Sequence, residues 1–223
     1  KKYVFDNYAI PKVRNENISK ALFKKYLPHN PVIIDCGAHT GKDSVELANH
    51  FPKGQVHAFE AAPEIFEILK SRRARRNNIH FYNLALADRD GEMNFHLSEG
   101  KSDGSSSLLA PATHLRDHPE TLFNKTITVK AQSLDSWAKE FGIKNVDLLW
   151  LDMQGFEMQM LQASKEIIHT VSLIHTEVSM CETYNGVVQY KDFKEFLISM
   201  GFKPILEAIP EGWDMGNVLF VRR

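Results

Sequence analysis

Val32-Ile33-Ile34-Asp35-Cys36-Gly37-Ala38-His39-Thr40-Gly41 reads as an apolar strand that runs straight into a glycine turn. The Val-Ile-Ile run is β-branched and unbroken, as a central strand covered on both faces requires, and Gly37 and Gly41 permit a tight turn in which backbone amides approach a ligand closely. Lys42 to Asn49 then carries helical spacing, with Val45, Leu47 and Ala48 available to face a sheet. One strand later Val56-His57-Ala58-Phe59 ends in Glu60. An acidic residue closing the second strand of such a unit accepts hydrogen bonds from both ribose hydroxyls, so a nucleoside ligand is expected.

The glycine turn narrows the choice of nucleoside. A dinucleotide fingerprint needs G-x-G-x-x-G, whereas this chain has Gly37-x-x-x-Gly41 with an acid, Asp35, two residues before the first glycine. That carboxylate disfavours a pyrophosphate. A phosphate-binding P-loop needs one more residue between its glycines, and Asp43 stands where its hydroxyl belongs. S-adenosylmethionine, a sulfonium that also bears an ammonium group and has no phosphates to satisfy, fits best.

The segments Asp35-Cys-Gly-Ala-His-Thr-Gly-Lys-Asp-Ser44 and Phe59-Glu-Ala-Ala-Pro63 resemble those of S-adenosylmethionine-dependent methyltransferases of the FkbM family. Three further segments agree: Ala85-Leu-Ala-Asp-Arg-Asp-Gly91, Ser133-Leu-Asp-Ser-Trp137 and Leu149-Trp-Leu-Asp-Met-Gln-Gly-Phe-Glu157. The likeness runs from residue 30 to residue 180. The family pattern usually carries Asn where His39 stands and Glu where Gln154 stands, so no role that needs a carboxylate at position 154 carries over. The resemblance implies an α/β, Rossmann-like class I methyltransferase, with a mostly parallel seven-stranded sheet and an antiparallel C-terminal hairpin. It also implies an oxygen acceptor on a small molecule or sugar.

Composition agrees with a folded enzyme domain. The 223 residues are 43% hydrophobic and 25% charged, which disfavours disorder, fibres and disulfide scaffolds. Residues 1–30 read as a lead-in and a helix, and 31–223 as one methyltransferase domain. The formal net charge of −1 supplies no field that favours nucleic acid or an anionic membrane. Cys36 and Cys181 form neither a metal-ligand spacing nor a disulfide framework, and no leader or membrane span is apparent. A cytoplasmic protein is therefore expected.

Strands and helices alternate from Asn30 onward, the pattern of a parallel sheet with right-handed crossovers. Strands are expected at Val32 to Asp35, Gln55 to Glu60, Ile79 to Asn83, Val146 to Asp152 and Val171 to Glu177. Helices are expected at Ile18 to Leu27, Lys42 to His50, Pro63 to Arg75, Phe156 to Ala163 and Tyr190 to Met200. Met93 to Leu97 and Thr126 to Ala131 read as strands added around an insertion, and Lys203 to Ala208 with Asn217 to Arg222 as the closing hairpin. Tyr3, Phe5 and Tyr8 are candidates for a substrate lid, as is the serine-rich segment Gly100 to Ser107.

Methyl transfer to a hydroxyl calls for alignment and a proton acceptor. Ligands of open α/β sheets bind beyond the carboxyl ends of the strands, so Asp152, which ends its strand, outranks Asp147, which begins one. Glu177 and His175 share side-chain parity on the neighbouring strand and rank second and third. The cofactor would be held by Asp35, Gly37, His39, Gly41 and Ser44 around its amino-acid part, by Glu60 at the ribose, and by Ala61 and Ala85 at the adenine. Glu157 opens a helix, where its carboxylate suits the dipole. No metal is expected, and His114-x-x-x-His118 reads as a solvated pair. Lys70-Ser-Arg-Arg-Ala-Arg-Arg76 supports a rival activity, methylation of RNA or protein nitrogen. A nucleoside-binding module without turnover and a nicotinamide oxidoreductase also compete.

Overall fold

The computed structural model describes residues 10–12, 17–72 and 77–223. Its main sheet has seven strands: β1 (Val32–Cys36), β2 (Gln55–Phe59), β3 (Ile79–Tyr82), β7 (Leu148–Leu151), β8 (Leu173–Ser179), β9 (Phe202–Ala208) and β10 (Met215–Arg222). Their order is β3-β2-β1-β7-β8-β10-β9, with β10 antiparallel to both of its neighbours and every other pairing parallel. This is the expected α/β architecture with its antiparallel C-terminal hairpin. The chain winds outward from β1 through β2 to β3 and then returns to the other side of β1 as β7, so the switch point lies between β1 and β7. Open α/β sheets bind ligands beyond the carboxyl ends of the strands at that point.

The sheet is buried on both faces. Ile34, Leu149, Leu151, Ile174 and Phe220 project into one apolar layer, and Ile33, Leu148, Trp150, Leu173 and Leu219 into the other. Helices α1 (Lys42–His50), α2 (Pro63–Ser71), α3 (His114–Asp117), α4 (Leu134–Glu140), α5 (Glu157–Ala163) and α6 (Tyr190–Ser199) complete the unit. Pro63 opens α2, where its missing N–H costs nothing. The Ser133 side chain caps α4 by accepting from the Ser136 amide. The Asp135 carboxylate accepts from the amides of Lys165, Glu166 and Ile167 at 2.7, 2.9 and 2.9 Å. The Leu-Asp element seen in the sequence is thus a clamp between two connections.

The insertion forms a second sheet of order β4-β6-β5, from β4 (Ala85–Ala87), β5 (Gly91–Gly100) and β6 (Thr121–Ser133). The helix expected at Ile18 to Leu27 is instead a short 3-10 helix, Lys20–Lys25. Its buried anchors Ile18, Phe23 and Leu27 are not one helical stripe, and Tyr26 is exposed. Pairing with the core, not helical periodicity, sets that segment. The proposed lid residues Tyr3, Phe5 and Tyr8, the last residues of the helix expected to reach Arg75, and Arg73, Arg75 and Arg76 of the basic cluster lie outside the described residues.

Candidate functional site

Two cavities meet at the carboxyl ends of β1 and β7. The first, of about 250 Å³, is walled by the turn after β1, by Glu60 and Ala61 after β2, by Ala85 and Leu86 of β4, and by Asp152. Gly37 has φ +84 and Gly41 φ +81, both in the left-handed region. A Cβ on Gly37 would overlap the carbonyl oxygen of Asp152, so glycine lets the turn lie directly on the end of β7. His39 has φ +47. Asparagine and histidine tolerate that conformation better than most side chains, a physical reason for the exchange at this position.

Glu60 joins the two loops. One oxygen accepts from the Ala62 amide at 2.7 Å and the other from the His39 amide at 2.9 Å. Burial pushes the Glu60 carboxyl above its ordinary range, and these amide donors oppose the push. In the same cavity Ala61, Ala62, Leu84, Ala85, Phe95 and Leu108 supply apolar lining. Asp103, Gly104 and Ser106 of the serine-rich insertion also line this cavity, and Asp103 Oδ1 lies 3.1 Å from His39 Nε2. The expected lid segment therefore packs over the first cavity.

Of the residues expected around the cofactor, Gly37, His39, Glu60, Ala61 and Ala85 line this cavity, whereas Asp35, Gly41 and Ser44 do not. Strand alternation turns Asp35 to the α1 side of the sheet, where it accepts a hydrogen bond from Ser44 in full burial. Burial raises the Asp35 carboxyl to about 7, and its second oxygen has no hydrogen-bond partner among the described residues. Asp35 and Ser44 support the turn from beneath. Gly41 begins α1 where a Cβ would come 2.5 Å from the Leu69 side chain, so its part is also in packing.

The second cavity, of about 710 Å³, lies between β7, β8, α1 and residues 17–20. Trp150 and His175 stack in it at 3.6 Å with 7° between planes, and Lys20 Nζ sits 4.5 Å over the Trp150 ring. Lys20 is held there by Asp43 at 2.5 Å and Glu46 at 2.7 Å. Asp152 and Glu177 form the end wall, and Asp152 borders both cavities. Gln154 Nε2 donates to Asp152 Oδ1 at 2.7 Å and to Glu177 Oε2 at 2.8 Å. Burial raises the Asp152 carboxyl, which increases its affinity for a proton.

The structure thus brings Asp152, Glu177 and His175 to one chamber but separates their chemistry. His175 is fully buried, and desolvation lowers its pKa to about 3, so it stays neutral and stacked. Its stack on Trp150 makes it part of the chamber wall. Glu157 accepts from the amides of Met153 at 2.8 Å and Gly155 at 3.4 Å, and burial raises it to about 7. It holds the turn after β7. Asp147 accepts from the Val32 amide at 2.8 Å, a structural bond between β1 and β7.

His114 and His118 are not a solvated pair. His114 is buried, its ring 4.9 Å from His118 and 5.4 Å from Tyr184. Among the described residues no three His, Cys, Asp or Glu side chains are arranged to hold a metal ion. Arg72, the described arginine of the basic cluster, donates to the Thr40 carbonyl at 3.2 Å and so braces the glycine turn. Sequence reading missed Asp103, Trp150 and Tyr184 as site residues and saw in Gln154 only the loss of a carboxylate. Only the length and polarity of the insertion hinted at the first.

Comparison with known proteins agrees with this geometry. Residues 35–204 match the methyltransferase FkbM domain. The chain is 30% identical over 195 residues to the 2-O-methyltransferase NoeI of Sinorhizobium fredii, covering 85% of this chain and 79% of that protein. Among solved structures, a methyltransferase FkbM from Methylobacillus flagellatus superposes with TM-score 0.57 at 11% identity, over 86% of this chain and 44% of its own. Fibrillarin from Aeropyrum pernix, solved with natively bound S-adenosyl-L-methionine, superposes with TM-score 0.51 at 14% identity, over 91% of this chain and 72% of its own. At these identities the two superpositions speak for the fold alone. This chain spans under half of the Methylobacillus chain.

Proposed function

Because this chain belongs to the FkbM methyltransferase family, and with it to the S-adenosylmethionine-dependent methyltransferases, we propose that it methylates a hydroxyl oxygen of a small polyhydroxylated molecule or sugar, with Asp152 accepting the hydroxyl proton. The observation that carries this reading is Asp152 itself, a half-buried carboxylate on the wall shared by two cavities.

The first cavity suits the methyl donor. Each Glu60 oxygen spends one lone-pair direction on a backbone amide and keeps another for a ribose hydroxyl. Ala61, Ala85, Leu86 and Phe95 offer an apolar slot for adenine, and the turn Gly37 to His39 brings backbone close to the amino-acid end. Asp152 and Asp43 favour the donor's positive charges. Bound S-adenosylmethionine supplies an electrophilic methyl group on a sulfonium, which becomes a neutral thioether once an oxygen lone pair has taken that methyl.

The second cavity suits the acceptor. Its lining of carboxylates, lysines and two asparagine amides matches an array of hydroxyl groups, and the name of the 30% identical relative specifies oxygen methylation. As the oxygen attacks, its proton passes to Asp152, whose raised proton affinity makes it a stronger base than a surface aspartate. Glu177 stands second. The two cysteines are free, which fits a reducing compartment such as the cytoplasm, and no described helix is long and apolar enough to cross a membrane.

The test is a screen of polyol and sugar acceptors read by release of S-adenosylhomocysteine. Asp152→Asn is expected to lower turnover by about 100-fold or more, the usual scale for losing a general base, with S-adenosylhomocysteine affinity within about threefold of wild type. Wild-type turnover in Asp152→Asn overturns the assignment.

A further inference from the structure

Gln154 occupies the turn after β7 with φ +52, a backbone conformation that costs a residue with a side chain on the order of 1 kcal/mol or more. Its amide makes the offsetting contacts. Nε2 has two hydrogens and uses one on Asp152 Oδ1 at 2.7 Å and the other on Glu177 Oε2 at 2.8 Å. Oε1 lies 3.0 Å from the Tyr184 hydroxyl, whose proton is shared with the Ser105 carbonyl at 2.8 Å. Turned over, the amide would aim its oxygen at two carboxylates, so only one orientation is stable.

We propose that Gln154 is the positioning residue of the reaction: its neutral amide pins Asp152 and Glu177 into one proton-accepting pair and ties that pair to the loop over the donor cavity. The inference rests on the reading of Asp152 as the base. The tie has three parts. Ser107 Oγ donates to the Gln154 carbonyl at 2.8 Å, Tyr184 bonds Ser105, and Asp103, Gly104 and Ser106 from the same loop line the donor cavity.

Two carboxylates drawn to one nitrogen repel each other, and a double donor without charge offsets both at once. The glutamate usual in the family cannot reproduce this double donation in either protonation state. Ionised, it adds a third negative charge; protonated, it has a single hydrogen for two acceptors. On the surrounding elements stand Asp35 from β1, Lys42, Asp43, Glu46 and His50 from α1, His39 from the glycine turn, Lys20 from the lead-in, His175 from β8 and Glu157 from α5. Lys20 is engaged by Asp43 and Glu46, and His175 is held neutral by burial. The Gln154 hydrogen bond is the larger of the two influences that oppose the upward push of burial on Asp152, the other being the nearby His39.

The test follows the Asp152 carboxyl by carbon-13 NMR titration of the whole chain labelled at aspartate, with Asp152→Asn assigning the signal. In Gln154→Glu and Gln154→Ala the Asp152 midpoint is expected to rise by about one pH unit or more, a tenfold gain in proton affinity. S-adenosylhomocysteine binding by calorimetry checks that each variant is folded, and the isosteric glutamate variant serves if the alanine one does not fold. An Asp152 midpoint within about 0.3 unit of wild type in the folded variants overturns the inference. Wild-type turnover in Asp152→Asn would overturn the base assignment instead, so the two failures are told apart.

Discussion

Replacing Glu60 by glutamine changes two atoms and removes one contact that cannot be rebuilt. Both carboxylate oxygens accept backbone amides, Ala62 at 2.7 Å and His39 at 2.9 Å, from opposite sides. Glutamine offers one oxygen and one NH2, so in either rotamer a buried amide N–H faces another donor. A buried donor left without a partner costs about 1–3 kcal/mol. A hydrogen bond from a bound ribose hydroxyl to a neutral amide is also weaker than one to a carboxylate, by about 1 kcal/mol. Together these, about 2–4 kcal/mol, predict that S-adenosylhomocysteine binds Glu60→Gln about 30- to 700-fold more weakly, since 1.4 kcal/mol is a factor of ten. The same loss at the loop junction lowers the melting temperature by about 2–4 °C for each kcal/mol. Isothermal titration calorimetry and thermal melts of the ligand-free chain measure the two effects separately. Burial raises the Glu60 carboxyl, so wild-type affinity is also expected to weaken on acidification as the carboxylate gains a proton. Affinity within threefold of wild type with an unchanged melt would refute the assignment, because it would mean that neither loop nor ligand depends on that carboxylate.

Gly37→Ala is expected to abolish S-adenosylhomocysteine binding and to destabilise the chain by about 2 kcal/mol or more, because its Cβ meets the Asp152 carbonyl and its φ is +84. Wild-type affinity on calorimetry would show that the turn does not touch the donor. Asp35 predicts a pH effect on stability. Its carboxyl is raised from 3.8 to about 7, so between those values the folded state binds more protons than the unfolded one, and stability falls as pH rises through the window and levels off above it. The shift of about three units corresponds to about 4 kcal/mol. Asp35→Asn keeps an acceptor for Ser44 without the charge, so its melting temperature should decline several degrees less than wild type between pH 4 and pH 7.5. Equal slopes in melts across that range would contradict the buried, protonated state.

The frame of the site was legible because it rests on local rules. An unbroken β-branched run predicts a strand covered on both faces, and alternation of strands with helices predicts parallel pairing. Glycines mark backbone that must turn left-handed. Glu60 followed from the same logic, since the end of the second parallel strand has one place to be relative to the first turn. The left-handed φ of +47 at His39 appeared only in the structure, and it accounts for a side chain that tolerates this conformation. The 3-10 segment was misread, since a short run near prolines has too few turns for periodicity to distinguish a helix from anchors set by the core.

Strand parity correctly placed His175 and Glu177 on one face, yet parity cannot tell how far each side chain reaches. One stacks flat on Trp150 at 3.6 Å, while the other meets an amide from a different turn. For Asp35 the same alternation applied, but the location of the cavity relative to the sheet turned it from a ligand contact into a buried support. The sequence by itself determined the order of the elements, the glycine turn and the acid opposite it, because these depend on neighbours along the chain and on the chirality of the backbone. Only the tertiary structure decided which carboxylates share an amide and which are sealed away. Those outcomes depend on burial and on partners such as Ser105, Gln154, Glu177 and Tyr184, which the fold gathers around one turn and no local pattern links.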